Sequence, residues 1–214
     1  VLGIPKNYFL DNIDHDIHIL FNNFLAIMST MGMTQKDFTL KFTWQYYDNW
    51  RKVRLAEASY IHKNLFSSRK EDYSKNVMNM LIEGLKISAT EYIQAFINTN
   101  KVRKEFLHIL NDMVDVIVVP TTIITSPKVG EEYINFCSSN EKMNVRQALL
   151  KNTIVFNSIG LPCATIPLGL TTNGLPAGVQ IIGRPNQEYL VLSIAYMYEF
   201  ISNTKTRFVP PVCV

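Results

Sequence analysis

Asn157-Ser-Ile-Gly-Leu-Pro162, then Cys-Ala-Thr-Ile-Pro-Leu-Gly169, then Gly174-Leu-Pro-Ala-Gly-Val-Gln-Ile-Ile-Gly183 form the core of a longer run, Asn152 to Gly183, without one charged side chain. A membrane-spanning helix needs about 20 apolar residues in unbroken helix. Pro162, Pro167 and Pro176 interrupt this run and forbid such a helix. The spacing instead predicts a helix ended at Gly160 and stopped at Pro162, where a glycine at the helix end adopts positive φ. Two strands follow, Ala164 to Leu168 and Ala177 to Ile182, joined by a turn carrying Asn173-Gly174, the strongest short hairpin signal. Strands this free of charge are expected to be buried on both faces of a sheet, in a soluble protein.

Outward from that core, Val116-Ile-Val-Val119 between Asp115 and Pro120 has the profile of a buried parallel strand, and Leu2-Gly-Ile-Pro5 that of a short one. Ile17, Leu20, Phe21, Phe24, Leu25, Met28 and Met31 recur at helical spacing, with Asp14 as cap and Gly32 as stop. Further helices are expected over about 43–66, 72–86 and 88–112, the last opened by the capping box Ser88-x-x-Glu91. Residues 120–143 read as a long aperiodic loop, a kind that is usually functional. Asn144 with Gln147 starts a helix to about Ser158, and a final helix covers about 187–202. The expectation is an α/β fold, a mixed β-sheet covered by helices on both faces, in a single domain over 1–214.

Composition narrows the function classes. The chain has 214 residues, 47% of apolar type and 18% charged, with a net charge of +3, and no basic stripe. Neither nucleic acid nor a membrane is therefore an expected partner. Cys137, Cys163 and Cys213 are widely spaced without CxxC, which argues against a disulfide framework or zinc ribbon and for a reducing, cytoplasmic location. Val1 opens in the middle of what reads as a strand, as expected of a piece of a longer protein. His15 and His18 stand i, i+3 in the first helical turn, nominally a metal spacing. Among Asp14 and Asp16 they read more simply as solvated, and His62 and His108 read as structural. No P-loop, GxGxxG, HExxH or GxSxG motif occurs, so no cofactor and no metal is expected.

The glycine–proline grammar of 157–185 resembles the C-terminal half of amidase signature enzymes. So do Leu2-Gly-Ile-Pro-Lys6 with Tyr8-Phe9, Ala56-Glu-Ala58 through His62, Glu71-Asp-Tyr73, Ala89 to Tyr92, Asp115-Val-Ile-Val-Val-Pro-Thr-Thr122 and Glu188 to Tyr198, in order along the chain. The resemblance implies hydrolysis or transfer of carboxamide nitrogen and a small-molecule amide as substrate. On the chain itself, Thr121 and Thr122 follow the C-terminal end of a buried strand, where α/β proteins place ligands. They either line a pocket or merely finish the strand. Asn157 is either a structural amide or a pocket residue, and Cys163 reads most simply as a core thiol. Thr121, Thr122, Asn157, Leu161 and Cys163 are the candidate substrate-binding residues.

The resemblance also implies a serine nucleophile, a second serine in a cis peptide and a lysine base, all in a glycine- and serine-rich first half. This chain has no Gly-Gly dipeptide, and neither Ser67-Ser68 nor Ser138-Ser139 has a glycine beside it. No catalytic residue can be assigned, and the isolated chain is expected to be inactive. The expected partner is an N-terminal catalytic half, from the same polypeptide or a split gene. The alternatives are a relative of the amidase-like component of a tRNA-dependent amidotransferase and a non-catalytic remnant or stand-alone binding module. Half a sheet implies an open edge, and a homo-oligomer is one way of covering it.

Overall fold

A computed structural model of the chain describes residues 1–41, 46–136 and 142–202. The chain divides into two compact units, Val1–Lys41 with Glu105–Val214, and Phe42–Lys104. In order along the chain the elements are β1 (Leu2–Pro5), α1 (His15–Thr30), β2 (Gln35–Phe38), α2 (Tyr46–Ser68), α3 (Lys75–Gly84), α4 (Ala89–Asp112), β3 (Val116–Pro120), β4 (Tyr133–Asn135), β5 (Lys142–Asn144), α5 (Val145–Leu150), α6 (Thr153–Ile159), β6 (Cys163–Leu170), β7 (Pro176–Ile182) and α7 (Glu188–Ser202). Cys137, Ser138, Ser139 and Cys213 lie outside the described residues.

The larger unit is built on a five-stranded mixed sheet of order β2-β1-β3-β7-β6. Strand β1 runs parallel to both β2 and β3, whereas β3–β7 and β7–β6 are antiparallel. The strand expected at 116–119 is thus parallel to one neighbour only. Side chains alternate across a strand, so Leu2, Ile4, Val116, Val118, Ile166, Leu168, Val179 and Ile181 share one face. They form a single core with Phe21, Phe24 and Met28 of α1 and Val191, Ile194, Ala195 and Tyr198 of α7. Asp14 caps α1 by accepting from the Asp16 and Ile17 N–H groups. The opposite face carries Ile117, Val119 and Ile182, also fully buried. There α6 brings Phe156 against Phe9, with ring centroids 5.1 Å apart, and against Phe106 at 5.3 Å. Gly160 ends α6 in the left-handed region, φ 63°, as its position before Pro162 predicts.

Three expectations need correction, and one strand was not foreseen. The uncharged run is buried on both faces only in β7. Strand β6 is the sheet's outer strand, burying Ile166 and Leu168 and exposing Cys163, Thr165 and Leu170. The helix expected from Asn144 to Ser158 is two helices, divided at Lys151 and Asn152, both drawn into the interior. Asn152 donates from Nδ2 to the carbonyls of Phe9 (3.1 Å) and Pro120 (2.8 Å), while Lys151 Nζ donates to the Asp11 carbonyl at 2.7 Å. The segment 120–143 contains β4 and β5, an antiparallel pair over a small core of Ile123, Ile124, Phe136, Met143 and Ala148. Finally, β2 has no apolar alternation. Its Gln35-Lys-Asp sequence is exposed at the other edge of the sheet, where Asp37 pairs with Lys6 at 2.9 Å.

In the smaller unit, α2 and α3 approach closely at Gly84. A Cβ there would stand 2.1 Å from both the Leu55 carbonyl oxygen and Ser59 Oγ. Ser59 fills the contact by donating to the carbonyls of Leu55 (2.8 Å) and Leu81 (2.9 Å). Backbone cannot yield as a flexible side chain can, so Gly84→Ala is expected to cost about 1–3 kcal/mol, the range for overpacking a tight interface. Equilibrium denaturant unfolding checks this, and an unchanged midpoint would show that the two helices are free to separate.

Candidate functional site

Where β3 ends, the chain leaves the sheet beside the β6–β7 hairpin. The Thr121 N–H donates to the Gly178 carbonyl at 2.8 Å, so Thr121 extends the sheet by one residue. Thr122 Oγ1 turns back and donates to the Ile124 carbonyl at 2.8 Å, fixing the first bend of the following segment. Together they border a solvent-open cleft of about 380 Å³, whose other walls include Ile124, Ser126, Thr165 and Gly178. That volume is within the ordinary range for small-molecule sites. Glycine at 178 matters here, because a Cβ would stand 3.0 Å from Thr121 Oγ1 and narrow the cleft floor. The Thr121 hydroxyl is buried and has no partner among the described residues.

Every lining residue is apolar or a neutral hydroxyl. Such a cleft can hold and orient a neutral polar molecule through threonine and serine hydroxyls. No carboxylate, imidazole, amine or thiol is among its lining residues. Among the described residues no three His, Cys, Asp or Glu side chains come together as a metal site. His62 pairs through Nδ1 with Tyr73 Oη at 2.9 Å, and His108 with Asp112.

Of the five residues singled out from sequence, the cleft gathers Thr121 and Thr122. Asn157 is exposed on α6 and Leu161 is buried beneath the α6–β6 link, neither of them on the cleft wall. Cys163 shares the cleft face of the sheet, one pleat beyond Thr165 in β6, as an exposed residue rather than the expected core thiol. Its sulfur nonetheless turns toward the sheet and donates to Gln180 Oε1 at 3.4 Å, and the desolvation pushes the thiol pKa up to about 12. Sequence reasoning missed Thr165, Ser126 and Gly178 of the cleft wall, and Gln180 as the partner of Cys163. A glutamine at the centre of the apolar β7 sequence was the available signal. It is buried, and its Nε2 has no partner among the described residues.

The family model described as Amidase matches residues 1–192, most of the chain. The chain belongs to the amidase family. An amidase of Pseudomonas putida is 27% identical, the match covering 92% of this chain and 42% of the relative. The A-type subunit of a glutamyl-tRNA(Gln) amidotransferase from Sulfurihydrogenibium sp. is 25% identical over 97% of this chain and 46% of its own length. A crystal structure of an amidase superposes with a TM-score of 0.81 at 21% identity, covering 91% of this chain and 44% of that one, a likeness of fold. The chain thus spans about half the length of the curated amidase-family relatives it matches.

The raised thiol pKa has a direct chemical consequence, since the thiolate is the reactive form. With Cys137 and Cys213 replaced by serine, Cys163 is expected to react with iodoacetamide at pH 8 roughly a hundredfold slower than a free cysteine. Its rate should still be climbing at pH 10. A plateau near pH 9 would show an ordinary thiol turned away from Gln180.

Proposed function

We propose that this chain is the C-terminal half of an amidase-family enzyme that cleaves carboxamide C–N bonds. It contributes sheet and substrate-pocket walls to a catalytic set carried by a complementary half. The observation that carries this reading is the cleft beyond β3. It is walled by hydroxyls and apolar groups suited to a neutral amide, has no carboxylate, imidazole, amine or thiol in its lining, and opens beside β6, the outer strand of the sheet. Thr121 and Thr122, with Thr165, would orient the amide through their hydroxyls. Asn157, Leu161 and Cys163 would support the wall from outside the cleft. The complementary half would bring the nucleophile and the oxyanion donors, which must act on one carbon and so must be delivered together.

A second reading, a part of the amidase-like component of a tRNA-dependent amidotransferase, is supported by the glutamyl-tRNA(Gln) amidotransferase relatives. A net charge of +3 without a basic stripe gives this piece no evident means of gripping tRNA.

Release of ammonia from a small aryl or aliphatic amide separates these possibilities from a passive module. The chain alone is expected to give none, and co-expression with a complementary half is expected to give turnover. Thr121→Val and Thr122→Val should then raise KM more than they lower kcat, because they remove binding hydroxyls and leave the nucleophile intact. Robust turnover by the chain alone would refute the division of labour, and absence of turnover with every half tried would leave the binding-module reading.

A further inference from the structure

Helix α7 is apolar on both sides. Val191, Ile194, Ala195 and Tyr198 face the core, while Tyr189, Leu192, Tyr196 and Phe200 form a second stripe at 3- and 4-residue steps on the outside. Tyr189 is 69%, Leu192 61%, Tyr196 60% and Phe200 76% exposed, and Met197 and Ile201 flank them. The Tyr196 and Phe200 rings lie next to each other on this side, with centroids 6.5 Å apart and planes 26° from parallel. Only Glu188 and Glu199 carry charge in the whole helix. A helix hydrophobic all round belongs in an interior.

The size of the stripe points the same way. With aromatic side chains offering 150–250 Å² each, these six residues expose roughly 600–700 Å² of apolar surface. The largest apolar patch of an ordinary monomer is about 300–600 Å², and a specific interface buries about 800 Å² per partner. Transient interfaces are about as polar as the rest of a protein surface, whereas permanent ones resemble a domain core cut in half. The inner face of α7 rests on Ile166 and Leu168 of β6, the last strand on that side of the sheet, and the stripe points the opposite way. A body that continued the sheet from β6 and also folded over α7 would cover both surfaces. The curated relatives carry about as much chain again as this one.

We propose that the Tyr189–Leu192–Tyr196–Phe200 face of α7 is the docking surface for the complementary half of the amidase fold. The inference rests on the reading of the chain as one half of such an enzyme, and it names the surface that makes the two halves one. A second copy of this chain is the rival occupant, and it would supply none of the chain length that the relatives carry beyond this one.

The test is capture of a complementary half by the tagged chain. The probes are the segments upstream of the matched region in the Pseudomonas putida amidase and in the Sulfurihydrogenibium amidotransferase relative, each co-expressed with it. Wild type is expected to retain a probe, Tyr196→Glu with Phe200→Glu to lose at least tenfold of that binding, and Tyr196→Leu with Phe200→Leu to keep most of it. Circular dichroism and thermal unfolding should match wild type for both variants, since these side chains point away from the core. If the glutamate variant does not fold, Leu192→Glu takes its place. Undiminished capture by the folded glutamate variant would overturn the assignment of α7 and leave the two-part reading standing. Failure of wild type to capture either probe would overturn the two-part reading itself. Sedimentation showing a dimer that the glutamate variant dissolves, with capture unchanged, would make a second copy the occupant and also overturn the assignment.

Discussion

The amide of Asn152 ties the start of α6 to the ends of two neighbouring strands. Fully buried, it donates to the Phe9 carbonyl after β1 and to the Pro120 carbonyl at the end of β3. The Phe9 carbonyl lies beyond β1, and the Pro120 carbonyl belongs to the last residue of β3. A buried carbonyl left unpaired costs about 1–3 kcal/mol, so the amide N–H groups close two such deficits, although the amide's own Oδ1 has no partner among the described residues. Lys151 and Tyr8 add a second tie, with Lys151 Nζ on the Asp11 carbonyl and Tyr8 Oη donating to the Lys151 carbonyl at 3.2 Å. Pro120 is the residue before Thr121. The Asn152 bond to the Pro120 carbonyl therefore also helps to set the position of the cleft floor.

Much of the fold was written in local chemistry. Asp14 caps α1, Ser88 and Glu91 exchange side-chain and backbone bonds at the start of α4, and Asn173-Gly174 turns the β6–β7 hairpin. Each of these signals acts over a few residues, which is why sequence carries it. The four apolar strands of the large sheet were legible for a related reason, since burial on a pleated surface demands an apolar pattern within each strand. Strand β2 escaped because an edge strand held by backbone bonds to β1 needs no such pattern. The break at Lys151 and Asn152 escaped because its cause is distant, in carbonyls 143 and 32 residues away.

The cleft was half legible. Thr121 and Thr122 could be placed by their position after a buried strand, a rule of topology that one sequence can invoke. Thr165 and Gly178 enter only through the register that sets Thr165 against Gln180 and Pro167 against Gly178. Cys163 was read as core because its neighbours are apolar. Its exposure reflects the strand's place at the rim of the sheet, which composition does not encode.

The central pair of parallel strands has a consequence for how the molecule is made. Leu2 of β1 lies beside Val116 of β3, with α1, β2, α2, α3 and α4 between them. At 5–20 residues per second of synthesis, β1 waits on the order of 6–20 s for that neighbour to be made. It can pair with β2 much earlier, within the first forty residues. Until β3 is made, the inner edge of β1, later the middle of the sheet, has no strand to pair with. Contacts this distant in sequence fold slowly. The most secure part of the finished core is thus the part most dependent on protection while the chain is being born.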